Sequence, residues 1–250
     1  MCRAGNGSHP RNGLTGDAMY KTELHCHSTE VSACARIDAT TLVRRYKEAG
    51  YSTVVLTNHF SIYSYRHLGC SDWESWVDRY MNGVRCAERA AGDELTVLWA
   101  IELRMDRDPN DYLVYGATEE FLRSHPDIWQ MSIEQVSALA RENGMLVVQA
   151  HPFRDHMQVT PLCHLDGIEV YNGSAGGHYG TDSRNDVALL WANKFGKLHT
   201  SGTDLHYPDD RILGGIASEE KVTDIETLVR ILKSGNYRII REGTVDEPLS

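Results

Sequence analysis

The sequence predicts an α/β protein whose strands close into a barrel, and three observations carry that expectation. From Tyr20 to Ile240, short β-branched or apolar runs alternate with helical stripes, the pattern of a sheet covered by helices. No Pro/Gly/Ser-rich linker interrupts the 250 residues, so residues 19–250 read as one domain behind a disordered leader, 1–18. The first strand runs into Glu23-Leu24-His25-Cys26-His27 where an open doubly wound sheet usually carries a Gly-rich phosphate loop. Later strands also end in His, Glu or Asp, and a barrel gathers functional residues at such C-terminal ends.

Taken in order, Lys21–His27 is the first strand and Ser28–Ile37 a loop. Ala39–Ala49 is a helix, with Leu42, Val43 and Tyr46 on one stripe and Gly50 as a stop. Ser52–Thr57 is a β-branched run of the kind found in buried parallel strands. Ser71-Asp72-Trp73-Glu74 has the form of a capping box and opens a long helix reaching about Ala91. Trp73, Trp76 and Tyr80 fall at helical spacing on it and are expected in the core. Leu95–Leu103 and Tyr112–Gly116 are the third and fourth strands. Glu119-Glu120 reads as a solvated helix start, and Ser132-Ile133-Glu134-Gln135 as a second capping box for a helix ended by Asn143-Gly144. Met145–Ala150 and Gly167–Tyr171 are strands five and six, Arg184–Phe195 a helix, and Leu198–Ser201 strand seven. Thr223-Asp224-Ile225-Glu226 caps a last helix to Lys233, and Tyr237–Ile240 is a closing strand.

The formal net charge of −10 argues against a stable nucleic-acid partner, which needs a basic surface. A small phosphorylated substrate remains compatible with it, because bound divalent cations invert the local field. No apolar run approaches the roughly 20 residues that span a bilayer, and the N-terminal residues lack the apolar core of a signal peptide. A soluble, cytoplasmic protein is expected. The six cysteines form no CxxC pair, so reduced thiols are expected.

The chemistry lies at the strand ends. Residues i and i+2 of a strand share a face, so His25 and His27 can converge on one ion, while Cys26 points away into packing. His59 ends strand two, Glu102 lies near the end of strand three, and His151 ends strand five. Asp204 and His206 follow strand seven, again two residues apart. Gathered around one cavity, such charges are costly without a cation. Imidazoles with carboxylates suit Zn, Mn or Fe. The donors outnumber the needs of one ion, so two to three divalent ions sharing a bridging carboxylate are expected.

This ordered set resembles the PHP (polymerase and histidinol phosphatase) superfamily. The matching residues are His25-x-His27, Thr57-Asn58-His59 where the family usually reads T-D-H, and Ile101-Glu102. Ala150-His151-Pro152 and Ser201-Gly202-Thr203-Asp204-Leu205-His206 complete them. The match runs from about Tyr20 to Tyr237, and its strength lies in the order of the motifs rather than in any one. The resemblance implies a distorted seven-stranded β/α barrel, a trinuclear metal site and phosphoester hydrolysis by a metal-bridging hydroxide. It also implies an assignment of ligands. His25, His27, Glu102 and Asp204 would hold the first ion, Glu102 and His151 the second, and His59 and His206 the third.

The sequence departs from the family pattern twice. Where many members have a His after the third strand, Asp111 stands in Asn110-Asp111-Tyr112-Leu113, as a harder ligand or as a turn residue. Where the family places an Asp or His five or six residues after His27, the chain has Ser32, Ala33 and Cys34, with Glu30 just before. Either Glu30 or Cys34 could reach the third ion, and Glu30 is preferred as a hard carboxylate. Arg184, after the loop 172–178, is a candidate for pairing with phosphate, and His178 for protonating a leaving oxygen. The alternative readings are a surface arginine and a mobile Gly-rich loop. Arg104 and Arg154 are further candidates for the substrate. The expected substrate is a small phosphomonoester or a short nucleotide-like diester. An amidohydrolase-type enzyme acting on C–N bonds is the alternative activity, although no strand-end Lys is apparent, and a non-catalytic metal-binding scaffold is the alternative class.

Overall fold

The computed structural model describes residues 19–174 and 183–246. Short polar side chains start its helices. Asp38 accepts from the Thr41 amide and begins α1 (Ala39–Glu48), which buries Leu42, Val43 and Tyr46. Ser61 begins the single-turn α2 (Ile62–His67). Asp72 and Ser75 form a reciprocal capping box for α3 (Trp73–Ala91), one residue later than the sequence pattern suggests. Thr118 begins α4 (Glu119–Ser124), and Ser132 with Gln135 boxes α5 (Ile133–Glu142). Then come α6 (Ser183–Phe195) and α7 (Ile225–Ser234), the latter capped by Asp224 through the Thr227 amide. Each such cap contributes about 1 kcal/mol by satisfying an otherwise orphaned amide.

The strands are β1 (Tyr20–Glu23), β2 (Thr53–Leu56), β3 (His59–Phe60), β4 (Thr96–Trp99), β5 (Ile101–Arg104) and β6 (Asp111–Tyr115). They continue with β7 (Leu146–Gln149), β8 (Gly167–Asn172), β9 (Leu198–Gly202), β10 (Gly215–Ser218), β11 (Arg238–Arg241) and β12 (Thr244–Val245). One sheet has the order β12-β11-β10-β1-β2-β4, the other β3-β5-β6-β7-β8-β9. The third expected strand, Leu95–Leu103, is therefore split at Ala100 between the sheets, and the second is followed by a short β3 in the other sheet. Hydrogen bonds cross both breaks: the Ala100 amide donates to the Leu56 carbonyl at 2.8 Å, and the Glu102 amide to the Asn58 carbonyl at 3.2 Å.

The expectation of a parallel sheet holds only in part. The pairs β1/β2, β2/β4, β3/β5, β7/β8 and β8/β9 are parallel. The pairs β5/β6, β6/β7, β1/β10, β10/β11 and β11/β12 are antiparallel. The connection 105–110 is too short for a crossover helix, so β5 and β6 turn back as a hairpin. Their reversal carries the start of β6, and with it Asp111, to the end of the sheet where the parallel strands finish.

Three buried apolar clusters hold these elements. One packs α3, α4 and α5 against β5, β6 and β7, with Phe60, Trp76, Tyr80 and Trp129 at its centre. A second includes Leu24, Val55, Leu113, Val148, Ile168 and Ile216, and α6 and α7 pack against it. The third seats α1 and α3 on β2, and there Cys26 is packed, away from the polar centre. Trp76 and Tyr80 are core residues, as expected from their spacing, and Trp73 lies partly buried beside them. Among the described residues, no helix is long and apolar enough to cross a membrane.

Candidate metal centre

Past Glu23 the chain continues beside two neighbours. The Asp204 amide donates to the His25 carbonyl at 2.7 Å, the His27 amide to the Leu205 carbonyl at 3.1 Å, and the Thr57 amide to the Cys26 carbonyl at 3.0 Å. This stretch therefore lies between the ends of β2 and β9. His25 and His27 both face one oxygen, Asp204 Oδ1, through Nε2 at 3.4 and 3.1 Å.

Glu102, on β5, is the hub. Its Oε1 lies 3.2 Å from His25 Nε2 and 3.0 Å from His151 Nε2. Its Oε2 lies 2.5 Å from His59 Nδ1 and 3.5 Å from His27 Nε2. Asp111 Oδ2 is 3.8 Å from His151 Nε2, and His206 Nδ1 is 3.4 Å from Asp204 Oδ1. Ligand atoms converge in four overlapping sets: His25, His27 and Glu102; His25, His151 and Asp204; Glu102, Asp111 and His151; and His27, His59 and His206. All eight of these sequence-proposed ligands are thus brought together, from six separate stretches of chain.

Two donors fit a cation rather than a protein partner. His25 Nε2 and Glu102 Oε2 are fully buried and make no hydrogen bond, although both face the cluster. Burying a polar group unpaired costs on the order of 1–3 kcal/mol. A donor set of imidazole and carboxylate is the chemistry that divalent zinc, manganese or iron accepts.

A surrounding layer aims these side chains. Glu169 Oε1 accepts from His25 Nδ1 at 2.8 Å, which leaves Nε2 for the centre. Glu169 Oε2 accepts from the His151 amide at 2.8 Å and from Asn172 at 2.9 Å. Glu23 Oε1 accepts from the amides of Leu24, His25 and Thr203, each at 2.9 Å, and Tyr46 donates to Oε2. Burial pushes the Glu23 carboxyl up to about 7, against these hydrogen bonds. The Tyr80 hydroxyl reaches the carbonyls of Asn58 at 3.0 Å and Ala100 at 2.9 Å, clamping both strand breaks beside His59 and Glu102. His151 and Asp204 adopt positive φ, 28° and 54°, a conformation non-glycine residues resist. Their amides are held by Glu169 and by the His25 carbonyl.

The electrostatics follow from this packing. Burial raises Glu102 and Asp204, but the opposing imidazoles outweigh it and hold both carboxyls well below the usual range. Burial lowers His25 and His59, yet their carboxylate neighbours raise both well above the ordinary value. His206 is likewise brought up to about 9, chiefly by Asp204 against burial. His27, buried beside His206 and His59, is pushed down to about 3.

The remaining candidates fall elsewhere. Both carboxylate oxygens of Glu30 accept from the Ala39 amide, at 3.0 and 3.2 Å, so Glu30 caps α1 and lies outside the clustered sets. Cys34 Sγ instead lies 3.1 Å from His206 Nε2. Burial raises this thiol, but hydrogen bonds from His206 and His59 outweigh it and bring it to about 6. Arg184 reaches Asp155 at 3.3 Å and none of the clustered carboxylates by any described contact. His178 lies outside the described residues. Arg104 grips Asp111 with Nε and Nη2, both at 2.5 Å, and Arg154 donates to Asp204 Oδ2 at 2.8 Å. Sequence reasoning missed Glu169 and Glu23. The available signal was a lone carboxylate inside an apolar strand, Gly167-Ile168-Glu169-Val170-Tyr171, which has to find buried partners.

Comparison with solved structures places this arrangement in a known fold. A two-domain protein from Bacteroides vulgatus, containing a predicted PHP-like metal-dependent phosphoesterase, matches with a TM-score of 0.64 at 17% identity. The match covers 96% of this chain and 71% of that one. A protein from Bifidobacterium adolescentis, assigned as a metal-dependent phosphoesterase, matches with a TM-score of 0.51 at 17% identity, over 85% of this chain and 95% of that one. An amidohydrolase from Chromobacterium violaceum, solved with sulfate and no metal, matches with a TM-score of 0.50 at 16% identity, over 88% and 97%. No family model matches the chain, and no curated protein sequence does. At these identities the likeness establishes a shared fold.

Proposed function

We propose that the chain is a metal-dependent phosphoesterase of the PHP type, hydrolysing a small phosphomonoester or a short nucleotide-like diester. The observation that carries this reading is the convergence of five imidazoles and three carboxylates around Glu102, with His25 Nε2 and Glu102 Oε2 buried and without hydrogen bonds. The two sheets are read as the two parts of a distorted seven-stranded barrel. Two to three divalent ions, Zn, Mn or Fe, would occupy the centre. His25, His27, Glu102 and Asp204 would hold the first, Glu102, His151 and Asp111 the second, and His59 and His206 the third. Ions so held supply a water acidified toward neutral pH and Lewis-acid charge for the oxygens of phosphorus.

The protein's own groups do the rest. Glu169 and Glu23 fix the imidazole and backbone of His25. Arg154 touches Asp204 with a guanidinium that is partly exposed, so its outer donors are placed for an anionic substrate. It is better positioned for that task than Arg184, which reaches Asp155. His178 is kept as a proposed proton donor to the leaving oxygen.

The amidohydrolase reading draws on the Chromobacterium violaceum likeness. Amidohydrolases more often centre on a bridging lysine, however, and no lysine stands at the C-terminal end of the strands that carry the cluster, which favours the phosphoesterase. Chelator-stripped protein reloaded with Mn²⁺ or Zn²⁺ and assayed on an aryl phosphate and a bis-aryl phosphate separates the two. Metal-dependent turnover, lost in His59→Ala and in Asp204→Ala, is the expected result. Tight metal binding with hydrolysis of neither ester, or with hydrolysis of an N-acyl substrate instead, would overturn the proposal.

A further inference from the structure

We propose that Cys34 is a ligand at the His59 and His206 position, so that one ion of the centre sits in a mixed cysteine–histidine site. The inference deepens the phosphoesterase reading and rests on its view of the cluster as a metal centre. Cys34 Sγ lies 3.1 Å from His206 Nε2, and the His206 ring lies 6.2 Å, centroid to centroid, from that of His59. Two ligands of a tetrahedral zinc, with Zn–S about 2.3 Å and Zn–N about 2.0 Å, stand about 3.6 Å apart. The observed separation is thus only a few tenths of an ångström shorter.

Backbone hydrogen bonds set the approach of this loop. The Arg36 amide donates to the His206 carbonyl at 2.7 Å, Thr29 to Ile37 at 2.9 Å, and Ala35 to Ser32 at 3.1 Å, so the loop is closed on itself and tied to His206. His206 Nδ1 is engaged by the Asp204 carbonyl at 2.8 Å, which turns Nε2 toward the sulfur. Independently of the cysteine, Glu102 Oε2 is fully buried without a hydrogen bond. It is aimed at the same place, 2.5 Å from His59 Nδ1 and 3.5 Å from His27 Nε2. The nearest carboxylate on the loop, Glu30, is committed to the Ala39 amide.

The consequence is a difference in metal preference within one centre. A thiolate favours softer ions such as zinc or iron over manganese or magnesium. The neighbouring Glu102, Asp111 and His151 set is richer in carboxylate and accepts harder ions. Among the described cysteines, Cys26 is packed in the core; none of the five, Cys34 included, stands in the clustered sets, and only Cys34 has a described hydrogen bond to one of their histidines.

The test is cobalt substitution of the full chain, followed in the near ultraviolet, with zinc content measured after dialysis. Wild-type protein is expected to show a thiolate-to-cobalt charge-transfer band. Cys34→Ser should lose the band and hold one zinc fewer. Cys34→Asp should lose the band and regain the ion. Full metal content without the band in wild-type protein, or a band and zinc count unchanged in Cys34→Ser, would overturn the assignment. The two readings fail differently. Wild-type protein that retains no divalent ion removes the metal centre itself and Cys34 with it. Wild-type protein that retains ions and hydrolyses phosphoesters without the band removes only the cysteine ligand.

Discussion

Replacing Gly202 with alanine tests how closely β9 must approach the histidine stretch. A methyl group there would lie 2.2 Å from His25 Cβ, 3.1 Å from His25 Cα and 2.9 Å from Glu169 Oε1. Non-bonded carbons sit about 3.5–4.0 Å apart, so His25 and its strand have to retreat by more than about 1 Å. The obstacle is the root of the side chain and the backbone, not a flexible tip, and rotamer changes cannot relieve it. Overpacking at a buried position costs about 1–3 kcal/mol, and in a domain of this size each kcal/mol lowers Tm by roughly 2–4 °C. The expected fall, measured by circular dichroism in chelator, is therefore roughly 2–12 °C. The same retreat disturbs the 2.8 Å contact of His25 with Glu169, which aims Nε2 at the centre. Metal affinity in a chelator competition should fall by at least about tenfold, as when such orienting contacts are lost. A Gly202→Ala variant with unchanged Tm and unchanged affinity would refute the packing argument.

Three further outcomes are expected. Glu169→Gln removes the carboxylate that fixes the His25 tautomer and the His151 amide, and should weaken metal binding by about 10–100-fold in the same competition; unchanged affinity would exclude the orienting role. Tyr80→Phe leaves the buried carbonyls of Asn58 and Ala100 without their hydroxyl donor, costing about 1–3 kcal/mol, and a melting curve identical to wild type would contradict the clamp. Metal loading should release protons near pH 7, because His25 and His59 are held well above, and His206 at about 9, in the metal-free protein. Ions bind the deprotonated ring, so affinity should climb as pH rises through 9, where His206 surrenders its proton. Calorimetry in two buffers of different ionisation enthalpy reads this directly, and heats independent of buffer at pH 7 would contradict it.

The site was legible where its chemistry repeats at the ends of apolar runs. His25, His27, His59, His151 and His206 each follow such a run, and Glu102 and Asp204 complete the order. That Glu30 turns to the Ala39 amide while Cys34 meets His206 was not legible, because the loop 28–37 has no periodicity and its path depends on the Arg36 amide meeting the His206 carbonyl. Glu169 and Glu23 were passed over because a single carboxylate in a strand leaves no pattern. In the fold, Leu95–Leu103 reads as one strand because hydrophobicity is continuous through Ala100, and only tertiary pairing divides it. Strand direction was lost at β6 because alternation of strands and helices does not register a short hairpin, and β10, Gly215–Ser218, was not read as a strand at all. The helix starts shifted by one residue at Asp72 and Asp224 because Asp competes with the neighbouring Ser or Thr as cap.

The central claim is that Glu102 joins neighbouring divalent ions that act together on phosphate. Anomalous diffraction from crystals of the metal-loaded protein, grown with phosphate, measures this most directly. The account predicts two or three anomalous peaks within bonding distance of His25, Glu102, His151 and His206, with the phosphate spanning them and Arg154 at its edge. A cluster without peaks, or a single peak that leaves Glu102 unligated and the phosphate elsewhere, would contradict it.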